Sequence, residues 1–321
     1  MKQIPYVTVL RLLVALSCAV VMGMAQAVAQ PPAAARPDVS APPAGQQAFA
    51  TPQAAADALI DAVRRADTAL MQKLLGANYR DLITIDPDDV EAVRKKFIEA
   101  WDKSHKLNVA GDAKAIIEVG GDGWTFPIPL VKRADGWRFD VVAGADQIQD
   151  RVIGRNELAV VQVLLAIVDA QQDYIDADPM KSGTAQYARR LLSAPGKKDG
   201  LYWEQKPGDP ESPLGDLVAQ AQADGANREE GYFGYHYRML YAQGPNAPGG
   251  AHDYLVNDKM IGGFAVIAWP VRYGDTGVMT FMVSHDGVVH EKDLGPNTSA
   301  VAGRITAFDP DKTWQKSDTT P

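Results

Sequence analysis

Cysteine is almost absent from this chain, which has one, Cys18, among its 321 residues. Cys18 lies in an apolar N-terminal stretch that we expect to be removed, so the mature protein has no thiol. This excludes disulfides, thiol catalysis and thiolate metal sites. Stability must therefore come from packing, and the chain is long enough for about two domains of ordinary size. Attachment of a lipid to Cys18 is an alternative use of this residue.

The sequence also lacks the short motifs of metal, nucleotide and serine chemistry. Its five histidines form no H-x-H, H-x-x-H or H-E-x-x-H pair, and no G-x-G-x-x-G, P-loop or G-x-S-x-G run is present. We therefore predict no catalytic residue, no metal site and no cofactor. A metal alternative is an ion shared by His285 and His290. A two-residue turn at Asp286-Gly287 would place His290 opposite Val283.

A basic cluster strong enough to outweigh the acidic residues is absent as well. The formal net charge is −8, and removal of the positive Lys2 and Arg11 changes it to −10. An acidic chain repels nucleic acid and anionic lipid headgroups. We expect no nucleic-acid partner, and instead an unknown envelope protein, a glycan or a peptide.

The first thirty residues have the pattern of a secretory signal peptide. Lys2 and Arg11 precede an apolar run over 12–21, and A-x-A cleavage sites end at Ala27 and Ala29. The apolar run is shorter than the roughly 20 residues of a membrane-spanning helix. We expect cleavage near Ala27 or Ala29, a periplasmic or secreted protein, and no stable membrane span after cleavage. An uncleaved N-terminal anchor is the alternative.

The pattern that follows predicts an α+β domain over 49–148. Thr51-Pro52 starts a helix, a second short helix ends near Gly76, and a third begins at the acidic run 86–89. Strands are then predicted over 107–109, 115–119, 124–132 and 137–142. Helices followed by a curved antiparallel sheet resemble the cone-shaped fold of the nuclear-transport-factor-2-like superfamily. The segment "TPQAAADALIDAVRRADTALMQKLL" resembles the first helices of that fold.

The second half predicts a long helix packed on an antiparallel meander. Apolar residues recur at helical spacing over 145–176, with a break expected near Gly154, and a short helix is expected over 213–223. The layout resembles the globular part of type IV pilins, through "RNELAVVQVLLAIVDAQQDYIDAD" and "GVMTFMVSHDGVVHEKDLG". The strands of this half are predicted over 235–241, 253–256, 260–269, 278–284 and 288–292.

The whole chain is thus predicted to consist of a signal peptide (1–27), a disordered Pro/Ala-rich tether (28–48), two domains (49–148 and 149–314) and a disordered tail (315–321).

Six blocks together resemble domain-of-unknown-function family 2950 of bacterial exported proteins. They are "DGWTFPIPLVKRADGWRFD", "IGRNELAVVQ", "PGKKDGLYW", "SPLGDLVAQA", "YAQGPNAPGGAHDYLVND" and "GGFAVIAWPVRYGDTGVMTFMVSHDGVVHEKDLGP". They cover nearly everything after the tether. The resemblance implies an envelope or secreted protein and assigns no activity.

A glycine-rich loop over 244–250 is the first candidate site, because polar aromatic residues flank it. A ligand such as a glycan or peptide could bind its exposed amides and rings. A shaped loop beside a tyrosine-rich sheet face is the alternative. The candidate ligand-binding residues are Tyr235, His236, Tyr237, Tyr241, Asn246, His252 and Tyr254.

A second candidate site is the mouth of the cone in the N-terminal half. Trp124 alternates with Phe126, and Trp137 with Phe139, so each pair falls on one strand face and lines either a cavity or a core. His105 is the only histidine in this half and lies in a polar stretch. We expect a non-enzymatic binding or interaction module of the bacterial envelope. The alternatives are a small-ligand carrier or enzyme that uses the cone, and a pilus- or secretion-associated accessory protein.

Overall fold

The computed structural model describes residues 43–83, 89–205, 209–214 and 231–318, which belong to one compact unit. The expected signal peptide, most of the tether and positions 215–223 of the helix expected over 213–223 lie outside the described residues. The tail expected to be disordered from 315 begins later, because Gln315–Lys316 form a strand. Among the residues that are described, no helix has both the length and the apolar character needed to cross a membrane. The chain is α+β, as its sequence predicts.

The N-terminal half begins with helices whose ends match local sequence signals. Thr51 caps the first helix by accepting a hydrogen bond from the Ala54 amide at 3.1 Å, and Pro52 fits the first turn. Asp67 caps the second helix in the same way through the Leu70 amide. The helices are α1 (Pro52–Arg65), α2 (Thr68–Leu75), α3 (Tyr79–Leu82) and α4 (Val90–Lys103).

An antiparallel sheet follows these helices. Its strands are β1 (His105–Ala110), β2 (Lys114–Val119), β3 (Trp124–Thr125), β4 (Leu130–Arg133) and β5 (Gly136–Phe139), in the order β1-β2-β4-β5 with β3 also paired to β2. The prediction of one strand over 124–132 is wrong. Pro127 and Pro129 have no amide hydrogen, so the strand breaks between β3 and β4.

One unbroken helix, α5, runs over Val141–Ala177 for 37 residues, about 55 Å. Asp140 caps it through the Ala143 amide, so Val141 and Val142 are helical and the strand predicted to 142 ends at Phe139. The break expected near Gly154 is also wrong. One glycine costs a helix only about 1 kcal/mol, which its good helix-forming neighbours offset.

The C-terminal half contains a five-stranded antiparallel sheet and several shorter strands. In chain order the elements are β6 (Arg190–Leu192), β7 (Gly200–Tyr202), β8 (Tyr235–Leu240), β9 (Ala242–Gln243), β10 (His252–Asp253), β11 (Leu255–Val256), β12 (Lys259–Met260), β13 (Ala265–Pro270), β14 (Met279–Ser284), β15 (His290–Asp293), α6 (Thr298–Arg304) and β16 (Gln315–Lys316). The five-stranded sheet has the order β16-β15-β14-β13-β8. Helix α5 packs on the face of this sheet near β14, and the short helix α6 packs near β13.

Two predicted strands of this half are each divided in two. The strand predicted over 260–269 stops at Met260 and resumes at Ala265, because Gly263 has a φ of +130°, outside the strand region. The strand predicted over 253–256 is interrupted at Tyr254, which turns into the core. The short pieces β9 to β12 form two small hairpin-like sheets.

The hairpin between β14 and β15 differs from its predicted register by one residue. His290 pairs with Met282, not with Val283. Continued towards the turn, this register sets Ser284 opposite Val288 and leaves three residues, His285 to Gly287, between them. The Gly287 amide donates to the Ser284 carbonyl at 3.0 Å, and Gly287 adopts the left-handed conformation with φ +73°. A three-residue loop that ends in a left-handed glycine is a common hairpin connection, and it adds the residue that shifts the pairing.

Buried apolar side chains form two separate clusters. One lies in the N-terminal half and includes Leu59, Trp101 and Phe139, whereas the other lies between α5 and the C-terminal sheet and includes Leu164 and Phe281. Helix α5 contributes to both, through Val141 at its start and through its later turns. The division into domains at 49–148 and 149–314 stays a prediction.

Candidate functional site

An open pocket of about 720 Å³ lies in the N-terminal half. Its wall is built by α1, α2, α3, α4, β2, β3 and the N-terminal part of α5. Most of the wall is apolar, and it includes Val63 of α1, Met71 of α2, Val93 and Ala100 of α4 and Val152 of α5. The volume lies within the range of about 300–1,000 Å³ that small-molecule sites occupy.

Aromatic rings form one side of the pocket. Phe97 lies 6.2 Å, centroid to centroid, from both Trp124 and Phe126, with edge-to-face geometry at each contact. Trp124 and Phe126 therefore line the cavity. Trp137 and Phe139 belong to the core behind it, and Phe139 meets Phe126 at 6.1 Å. Of the four aromatic residues predicted for this site, the fold thus places two in the wall.

One face of α5 closes the pocket. Ile148, Arg151, Val152 and Arg155 line it, and each lies three or four residues from two of the others, so they share a face of the helix. The Arg151 guanidinium donates to the Thr125 carbonyl at 2.7 Å and to its hydroxyl at 2.8 Å, and it lies 5.6 Å from the centre of the Trp124 ring. The Arg151 charge is therefore held in a fixed position at the wall.

The fold brings basic residues from three helices to one pocket. Five cations line the pocket: Arg80, Arg94, Lys96, Arg151 and Arg155. Arg94 is bound by Glu91, whose pKa is lowered by the hydrogen bond between them. Burial lowers the pKa of Arg151, because partial removal from water disfavours its charged form.

Histidine and carboxylate side chains are missing from the described wall. No histidine, aspartate or glutamate is among the described residues that line the pocket. His105 instead stacks on Trp101 at 4.4 Å and lies near the Trp101 carbonyl at 3.0 Å. The described wall thus combines an apolar and aromatic surface with basic side chains.

The aromatic residues predicted around the glycine-rich loop do not converge on one surface. Tyr235 and Tyr254 are fully buried. The Tyr235 hydroxyl donates to the Met279 carbonyl at 2.9 Å, and the Tyr254 hydroxyl donates to Gln243 at 3.0 Å. Burial raises the pKa of both phenols above its ordinary range. Both residues therefore hold the C-terminal core together.

Three further predicted residues lie along or beside β8. The Tyr237 hydroxyl donates to the Tyr232 carbonyl at 3.3 Å, and His236 lies 5.5 Å from the Trp269 ring. Tyr241 is 40% exposed and donates to the Arg189 carbonyl at 3.1 Å. Their polar groups thus have contacts inside the protein.

The glycine-rich loop is held closed by its own neighbours. Gln243 donates to the carbonyls of Pro248 and Gly250 at 2.6 and 2.7 Å. The Asn246 amide and side chain donate to the Asp309 carboxylate at 2.8 and 3.0 Å. His252 lies 3.1 Å from the Gly262 carbonyl. An internal carboxylate thus occupies the amide that an external anion would use.

The metal alternative at the hairpin has no support in the contacts of the two histidines. His285 packs against Tyr254 and Phe264, whereas His290 packs against Phe308. Burial lowers the pKa of His290, which favours its neutral form. In the part of the chain that is described, no three histidine, cysteine, aspartate or glutamate residues are grouped to hold a metal ion.

The basic residues of the pocket were missed by the analysis of the sequence. Arg94 and Lys96 belong to the run Arg94-Lys95-Lys96 of α4, whereas Arg80, Arg151 and Arg155 lie on α3 and α5, so no single run contains the cluster. The available signal was the helical spacing of Ile148, Arg151, Val152 and Arg155, which places two arginines on an otherwise apolar face.

A family described as "Protein of unknown function (DUF2950)" matches residues 46–317. No curated protein matches the chain, and no solved structure matches it. The likenesses to the nuclear-transport-factor-2-like fold and to pilins therefore stay predictions.

Proposed function

We propose that this chain, which belongs to the DUF2950 family of proteins of unknown function, is an exported protein that binds a small apolar ligand in the pocket of its N-terminal half. The observation on which the proposal rests is the pocket of about 720 Å³ with an apolar and aromatic wall. Binding of an apolar ligand to such a wall is favourable, because it removes apolar surface from contact with water.

Exposed apolar side chains at the pocket support a ligand. Val90, Val93 and Trp124 line it and are 46%, 41% and 46% exposed. Single exposed apolar residues are ordinary, but three along one pocket form a surface that binding would cover. The absence of histidine and carboxylate from the described wall favours binding over catalysis.

Export is supported by the N-terminal sequence. The charged start, the apolar run and the A-x-A sites that end at Ala27 and Ala29 agree with a cleaved signal peptide. We expect periplasmic or secreted protein from the native host to begin between Val28 and Pro32 on N-terminal sequencing. Recovery of only the uncleaved chain, in the membrane fraction, would contradict export.

Binding is tested with N-phenyl-1-naphthylamine, a neutral apolar fluorophore whose emission rises in apolar surroundings. We expect saturable binding at one site per chain. Ala100→Trp and Val63→Trp place a large side chain in the pocket from α4 and α1, and each should weaken binding at least about tenfold. Leu158→Trp is the control, since Leu158 is exposed on α5 and does not line the pocket.

Thermal unfolding establishes which of these variants is folded, and one folded pocket variant is sufficient for the comparison. The proposal is wrong if the full chain shows no saturable fluorescence. It is equally wrong if a folded pocket variant binds the fluorophore as tightly as the Leu158→Trp control does.

A further inference from the structure

All charged side chains that the structure describes in the pocket wall are basic. Four of its cations, Arg80, Lys96, Arg151 and Arg155, form no ion pair with any residue in the described ranges. The chain as a whole has a net charge of −8. A local excess of positive charge in an acidic protein attracts an anion to this place.

Arg151 and Arg155 form the best-defined part of this cluster. They are one helical turn apart on α5, so their side chains are neighbours. Arg151 is partly buried and is oriented by Thr125 and Trp124, whereas Arg155 is exposed. A group held by both would lie at the boundary between the apolar wall and solvent. Oriented guanidinium groups bind carboxylate and phosphate through charge-assisted hydrogen bonds.

We infer that the pocket binds a single-chain amphiphile whose anionic head, a carboxylate or a phosphate, contacts Arg151 and Arg155. This inference rests on the proposed function, because the apolar chain fills the pocket described there. A ligand with many polar groups would leave them unpaired against the apolar wall. A cationic ligand would be repelled, and a two-chain lipid would exceed the volume of the pocket.

The test is displacement of N-phenyl-1-naphthylamine from the full chain by four dodecyl compounds with different heads. They are dodecanoate, dodecyl phosphate, dodecanol and dodecyltrimethylammonium, each below its micelle concentration. We expect dodecanoate or dodecyl phosphate to bind at least about tenfold more tightly than dodecanol, since a charge-assisted hydrogen bond gives at least this factor. Dodecyltrimethylammonium should bind most weakly. The better of the two anions identifies the head.

Arginine variants locate the head. In the double variant Arg151→Gln, Arg155→Gln the advantage of the anions over dodecanol should disappear, while dodecanol and the fluorophore keep their affinity. Arg155→Gln alone changes only an exposed residue and should lose part of the advantage, so the test does not depend on how Arg151 supports the wall. Arg133→Gln is the control, because it removes one exposed positive charge on β4, outside the pocket.

The outcomes separate this inference from the proposed function. A wild-type chain that does not bind the fluorophore would contradict both the proposed function and this inference. Binding of the fluorophore without an advantage of either anion over dodecanol would overturn the inference and leave the apolar pocket intact. An anion advantage that survives the double arginine variant, or that is lost equally in Arg133→Gln, would also overturn it.

Discussion

Glu157 on α5 provides the most direct test of how the long helix is fixed to the C-terminal sheet. One of its carboxylate oxygens accepts hydrogen bonds from the amides of Val278 and Met279, both at 2.9 Å. The Tyr235 hydroxyl lies 3.5 Å from the same oxygen. The Val278 amide directly precedes β14, and the Met279 amide is the first of that strand. The carboxylate therefore fixes the position of the strand against the helix.

Replacement of Glu157 by alanine should lower the free energy of unfolding by about 2–4 kcal/mol. A hydrogen bond to a charged group contributes about 1.5–3 kcal/mol, and two that share one oxygen give less than twice this value. Glu157→Gln keeps an acceptor oxygen without the charge and should cost roughly half as much. The larger loss is a substantial part of the roughly 5–15 kcal/mol that stabilises an ordinary domain.

The assay is urea unfolding followed by circular dichroism and tryptophan fluorescence. A loss of this size shifts the midpoint by about 1 M or more. Asp169→Ala is the matched control, because Asp169 is an exposed carboxylate on the same helix. The reasoning is refuted if Glu157→Ala and Asp169→Ala unfold at the same urea concentration.

Three further substitutions test single features of the fold. Gly154→Ala should raise the free energy of unfolding by about 0.5–1 kcal/mol, because Gly154 is inside a continuous helix with nothing within 4 Å of an added methyl group. A lower urea midpoint than that of the wild type would indicate a break in the helix there. Gly287→Ala should lower it by about 1 kcal/mol through its φ of +73°, since an added methyl group again meets nothing within 4 Å; an unchanged thermal midpoint would contradict this. Burial raises the pKa of Tyr174 from 10.0 to about 12, so the stability from its neutral phenol is complete below pH 10 and is lost as the pH rises through 12. Tyr174→Phe cannot ionise, and its urea midpoint should fall less than that of the wild type between pH 10 and 12.

Local signals in the sequence determined the parts of the fold that depend on few residues. Thr51 and Pro52 start α1 because a cap and a fixed φ act within one turn. Gly287 has the positive φ expected for its turn. The near absence of cysteine, the α+β composition and the family blocks were likewise visible without coordinates, because each depends only on residue type and order.

The tertiary structure decided what depends on several segments at once. Helix α5 continues through Gly154, since its flanking turns stabilise it more than one glycine weakens it. The register of His290 followed from a loop one residue longer than expected. The pocket shows the limit most clearly: Arg80, Lys96 and Arg151 are distant in sequence and meet only because α3, α4 and α5 pack around one cavity. Helical spacing fixes which residues share a face, but only the packing of the helices decides which faces meet.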